Sequence, residues 1–128
     1  MSGFAGIIRF GGTPEQTAED ERSIEKMART IAFRGPDASQ SWQHPGVHFC
    51  FSLHRTSTTT QAKAQPCSLD GRVWLLGEVR LDGRDELIRR FAQRGEKLAS
   101  AVTDEELVLH TLHTFGEKGV AELDGDYA

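Results

Sequence analysis

The sequence predicts an α+β fold, an alternation of short strands and amphipathic helices within one domain. Apolar, β-branched and aromatic runs recur at residues 4–10, 47–53 and 73–76, each bounded by Gly, Pro or polar residues. Between them lie segments with apolar residues at helical spacing, opened by capping signals and closed by Gly or Pro. The chain is 128 residues long, a length that suits one domain with a modest core.

The first strand starts at the N-terminus, where Ser2, Gly3, Phe4, Ala5 and Gly6 lead into Ile7, Ile8, Arg9 and Phe10. Gly11 and Gly12 turn the chain, and Thr13-Pro14-Glu15-Gln16 opens a helix. Thr13 is the cap, Pro14 fits the first helical position and Gln16 completes a capping box. Ile24, Met27, Ala28 and Ile31 carry that helix to about Ala32, and Arg34-Gly35-Pro36-Asp37 ends it. Val47, Phe49, Phe51 and Leu53 alternate with His48, Cys50, Ser52 and His54, the pattern of a half-buried strand. Residues 56–64 read as an exposed polar loop closing at Gln65-Pro66.

Val73, Trp74, Leu75 and Leu76 predict a short strand running into Gly77-Glu78. A second helix starts at Asp82 or Arg84, with Leu87, Ile88 and Phe91 inward and Arg89, Arg90 and Arg94 outward. Thr103 and Glu106 form a second capping box, opening a helix with an apolar face of Val108, Leu109, Leu112 and Phe115 that Gly116 stops. The last residues, Leu123-Asp124-Gly125, enter a final strand.

Composition narrows the function classes. A net charge of -4 and a pI near 5.7 argue against nucleic-acid binding and against attraction to a membrane surface. No apolar run approaches the ~20 residues of a membrane span, and Arg9 interrupts the only apolar segment that could begin a leader. A cytoplasmic protein is expected. Cys50 and Cys67 lack metal-ligand spacing, and Cys50 reads as a small buried apolar residue. His110 and His113 lie one helical turn apart without a further ligand, so no metal site is expected.

Five stretches, in order, carry a family resemblance. They are Ser2-Gly3-Phe4-Ala5-Gly6-Ile7; Arg34-Gly35-Pro36-Asp37; His54-Arg55 with Gln65-Pro66; Leu76-Gly77-Glu78; and Thr103-Asp104 with Glu106, followed by Gly116 and Leu123-Asp124-Gly125-Asp126-Tyr127-Ala128. Together they resemble class II glutamine amidotransferase domains, the N-terminal-nucleophile glutaminases of the asparagine synthetase family. The resemblance implies an αββα sandwich of antiparallel sheets. Residues 1–128 would be the N-terminal portion of that domain, cut before completion and without the synthetase domain that normally follows. Uncovered edges and faces then lead to an expectation of self-association.

The resemblance also assigns roles, and this chain departs from several. The nucleophile position, Cys in the family, holds Ser2. Serine is the weaker nucleophile at neutral pH, although other N-terminal-nucleophile hydrolases use Ser or Thr with their own free amine as base. The family's oxyanion-binding Asn is Leu76, which has no donor, leaving the Gly77 N–H. Phe33 stands where the family has His. The glutamine clamps are kept: Arg55 matches the arginine that holds the α-carboxylate, Asp104 the carboxylate that receives the α-ammonium, and Glu78 assists. Taken alone, Arg55 reads equally as a surface ion-pair residue and Asp104 as a first-turn helix acid favoured by the dipole.

Three readings follow. In the first, the domain has lost glutaminase chemistry and serves as a scaffold, as in relatives resembling lasso-peptide cyclases and β-lactam synthetases. ATP and Mg then belong to the absent synthetase domain, and this part of the chain holds no cofactor. The second is a working glutaminase with Ser2 as nucleophile, supplying ammonia for asparagine synthesis. The third is a module that binds an amino acid such as glutamine without cleaving it.

Overall fold

A computed structural model describes residues 2–54, 64–99 and 101–128 of the chain. Every strand pairing among them is antiparallel, and helices lie beside the sheets, so the fold is α+β. The chain divides into two compact units, Met1–Pro66 and Cys67–Ala128.

The first unit is a three-stranded sheet with one long helix. β1 (Gly3–Ile8), β2 (Ala38–His44) and β3 (Val47–Leu53) take the order β1-β3-β2. Helix α1 (Pro14–Ile31) carries the expected capping box: the Thr13 N–H donates to Gln16 Oε1 at 2.9 Å, and the Gln16 N–H to Thr13 Oγ1 at 3.4 Å. β2 is an addition to the sequence-based elements. Its Ser-Gln-Ser-Trp-Gln-His run has no apolar alternation, and it exists because a turn at Pro45 and Gly46 (φ 75°) folds it back along the whole of β3.

The register decides which strand face the helix covers. His48 is flanked across the sheet by Ile7 and Gln43, and Cys50 by Ala5 and Ser41. Ile24 of α1 lines a small cavity with Ser41, Gln43 and His48, so α1 covers this small and polar face. His48, Cys50 and Ser52 are accordingly buried, while the aromatic row on the other face stacks along itself, with Trp42 5.9 Å from both His44 and Phe49. Burial pushes the Cys50 thiol up from its ordinary range. On α1, Ile24 is buried as expected, whereas Met27 is exposed and the charged Asp20 is buried.

Asp20 is anchored by Arg9. Arg9 Nε donates to Oδ2 at 2.8 Å and Nη2 to Oδ1 at 2.6 Å, tying the end of β1 to the helix. These charge-assisted bonds hold the Asp20 carboxyl below its ordinary range. A lowered folded-state pKa contributes stability that is present above the unfolded value of about 3.9 and lost as pH falls through the folded value. Asp20→Asn should therefore lower the urea midpoint at neutral pH, and the gap from the parent should close below about pH 4. A gap independent of pH would show that the ion pair is not its source.

The second unit is built on one apolar cluster. Leu81, Leu87, Phe91, Val102, Leu107 and Val108 are buried together under the half-buried Leu75, Leu112, Phe115 and Leu123. They come from β4 (Val79–Leu81), α2 (Arg84–Gln93) and α3 (Asp104–Phe115), and β4 pairs with β5 (Gly125–Tyr127). Both helices match their expected spans, with the Thr103–Glu106 capping box formed and Gly116 (φ 65°) ending α3. On α3, Val108 and Leu109 are buried as expected and Leu107 and Thr111 are enclosed beside them, whereas Leu112 and Phe115 are only partly buried.

The expected strand at residues 73–76 is corrected. It reduces to a single bridge between Leu75 and Cys67, because the ladder with β5 begins only after Gly77. The outward arginines are paired or stacked: Arg89 with Glu86 at 2.8 Å, Arg90 with Glu122, and Arg94 over the Phe115 ring at 4.9 Å. No helix of the described residues is long and apolar enough to cross a membrane.

Candidate active site

At one end of the first unit, three segments converge on Ser2. β1 and β3 pair so that Gly3 faces Ser52, which brings the residues just outside the ladder, Ser2 and His54, together. The His54 backbone N–H donates to Ser2 Oγ at 3.1 Å, and Ser2 is 8% exposed, so its hydroxyl is held at the rim of the sheet rather than loose at a chain end.

The turn after α1 closes this end from below. The Asp37 N–H donates to the Leu53 carbonyl at 3.1 Å. At Gly35 a Cβ would collide with the Ser52 carbonyl, an overlap that no side chain tolerates, so the Arg-Gly-Pro-Asp turn requires glycine there. The Arg34 side chain lies across Gly3, 3.0 Å from where a Cβ would stand. Asp37 Oδ2 is 3.4 Å from His54 Nδ1, a charge pair only when the imidazole is protonated and too poorly aligned to be a hydrogen bond. Phe33, just before this turn, is 80% exposed.

The other expected site residues fall in the second unit or outside the described residues. Arg55 lies outside them. Leu76 is half-buried and Gly77 buried. A Cβ on Gly77 would collide with the Ala128 carbonyl oxygen, so this position also needs glycine for a close backbone approach. Glu78 and Ala128 exchange backbone hydrogen bonds at 3.2 and 3.1 Å, extending the β4–β5 ladder up to Gly77.

Asp104 opens α3 with both carboxylate oxygens engaged. Oδ2 accepts the Leu81 N–H at 3.0 Å, and Oδ1 accepts Arg84, whose other nitrogen donates to the Val102 carbonyl. Sequence spacing could not reveal this brace, because Arg84 and Asp104 sit on different helices. Nor did it assign Arg34, Asp37 and His54 to the neighbourhood of Ser2. The signal that could have done so is strand pairing, since aligning β1 against β3 sets residue 2 beside residues 53 and 54.

The chain belongs to the glutamine amidotransferase domain family, whose model matches residues 1–128. Among proteins similar to it are two from Bacillus subtilis (strain 168). Asparagine synthetase [glutamine-hydrolyzing] 1 is 30% identical over 131 residues, and asparagine synthetase [glutamine-hydrolyzing] 3 is 25% identical over 133. Each similarity covers 100% of this chain and 20% of the relative, so the chain spans about a fifth of the length of either.

Proposed function

We propose that this glutamine amidotransferase domain has lost glutamine hydrolysis and acts as a scaffold for an ATP-dependent, amide-forming synthetase domain of the asparagine synthetase type. The observation that carries the reading is the pair of residues at the reacting positions, Ser2 and Leu76. Amide hydrolysis by an N-terminal nucleophile needs a strong nucleophile beside a free amine, and at least two donors on the developing oxyanion. Serine weakens the first requirement. Leucine removes one donor of the second, leaving the Gly77 N–H.

Glutamine recognition on this reading rests on Arg55, Glu78 and Asp104. For Asp104 to receive an α-ammonium it must share a carboxylate already braced by Arg84 and Leu81. ATP and Mg act in the synthetase domain, and the outer edges of β1 and β2, unpaired among the described residues, are covered there or by a second copy.

The test is ammonia release from glutamine by protein whose mass shows that it begins at Ser2. The expected result is release no faster than from buffer. Release well above that background, abolished by Ser2→Ala, would make Ser2 a working nucleophile and overturn the proposal.

A further inference from the structure

Thr103, not Asp104, caps α3: its Oγ1 accepts the Glu106 N–H at 3.3 Å, and its own N–H donates to Glu106 Oε2 at 2.8 Å. The Asp104 carboxylate, at the first helical position, takes no part in that cap and turns to the end of β4 and the start of α2. Oδ2 accepts the Leu81 N–H at 3.0 Å and Oδ1 accepts Nη1 of Arg84. The side chains of Asp104 and Arg84 are 23% and 32% exposed, so a solute can reach the pair.

Arg84 spans two acceptors at once. Its Nη2 donates to the Val102 carbonyl while Nη1 donates to Asp104. Both nitrogens belong to one planar guanidinium, so the Val102 carbonyl and Asp104 Oδ1 must lie side by side. A carboxylate oxygen next to a backbone carbonyl is what an ammonium group needs, since its three N–H donors then find a charged and a neutral acceptor.

Arg84 also holds an advantage over a dissolved cation. It opens α2 directly after Gly83, whose N–H is fixed to the Asp124 carbonyl at 3.2 Å. A tethered group loses no translational freedom on pairing and is never diluted, whereas a free molecule must bear that cost. A second cation brought to the same carboxylate would be repelled by the first.

We propose that Arg84 is a built-in substitute for an α-ammonium on Asp104, and that it makes this site select carboxylic acids that lack an α-amine over free α-amino acids. The inference rests on the reading of Asp104 as the ammonium-receiving residue. It makes Arg84 the residue that determines specificity there.

The probes are glutamine and glutaramate, the same molecule without its α-amine, titrated into the 15N-labelled 128-residue chain. The amides of Leu81 and Asp104 report on the site. In the parent, glutamine should bind no more tightly than glutaramate. In Arg84→Met, glutamine should gain about tenfold or more while glutaramate does not, and adding Asp104→Asn should abolish the gain. Arg84→Gln, whose amide still offers a donor to Val102 or Asp104, should show the same selective gain if Arg84→Met fails to fold, and urea midpoints establish which variants are folded. A parent that prefers glutamine, or folded variants in which both probes gain equally or not at all, would remove Arg84 as the discriminator and leave the Asp104 reading standing. A gain that survives Asp104→Asn, or no binding of either probe by any form, would overturn that reading and the inference with it.

Discussion

Ser2→Cys combined with Leu76→Asn should release ammonia from glutamine on the order of 100 to 1,000 times faster than Ser2→Cys alone. The single change restores a nucleophile with a few per cent thiolate at neutral pH. On the proposed roles it leaves the oxyanion with one donor, and removal of one such donor typically costs roughly 2.7–4 kcal/mol of transition-state stabilisation. The asparagine amide would return that donor next to Gly77, whose backbone is already fixed by the close approach of Ala128. The comparison needs protein beginning at residue 2, so that the α-amine is free to act as base. Equal rates for the two variants would mean that residue 76 does not face the reacting carbonyl. Leu76→Asn without Ser2→Cys should gain little, because the hydroxyl still limits attack.

Phe91→Ala should destabilise the protein by about 3–5 kcal/mol, the range for an aromatic side chain deleted from a close-packed core. Phe91 is fully enclosed, with the Phe115 ring 5.6 Å away and the His110 ring edge-on at 6.1 Å. The check is the urea unfolding midpoint at constant slope. A loss under about 1 kcal/mol would mean that neighbours collapse into the space, so that little cavity remains. The consequence reaches the candidate site. The same cluster holds β4 against α3, and through that contact the Leu81 N–H reaches Asp104. Loosened packing should therefore free Asp104 from its brace as well as lower stability.

Much of the fold was readable because it is local. Both capping boxes formed at the residues that signalled them, since a cap needs only a side chain and a backbone N–H three positions away. Gly116 ended α3 for a similarly short-range reason. The candidate site was readable only through resemblance. Nothing in the spacing of Ser2, Leu76, Gly77, Glu78 or Asp104 brings them near one another, and Arg55 lies outside the described residues.

By itself, then, the sequence determined the helix boundaries, the strand at Val47–Leu53, the α+β class and the family. Tertiary structure alone decided that a polar run at Ala38–His44 becomes a strand, because a strand with no apolar face is made by its partner's hydrogen bonds. It also decided that residues 73–76 do not, because the partner ladder starts beyond them. The face that α1 covers, the Arg9–Asp20 tie and the Arg84–Asp104 brace follow from strand register and helix placement. These are relations between residues distant in sequence, and no local propensity encodes them.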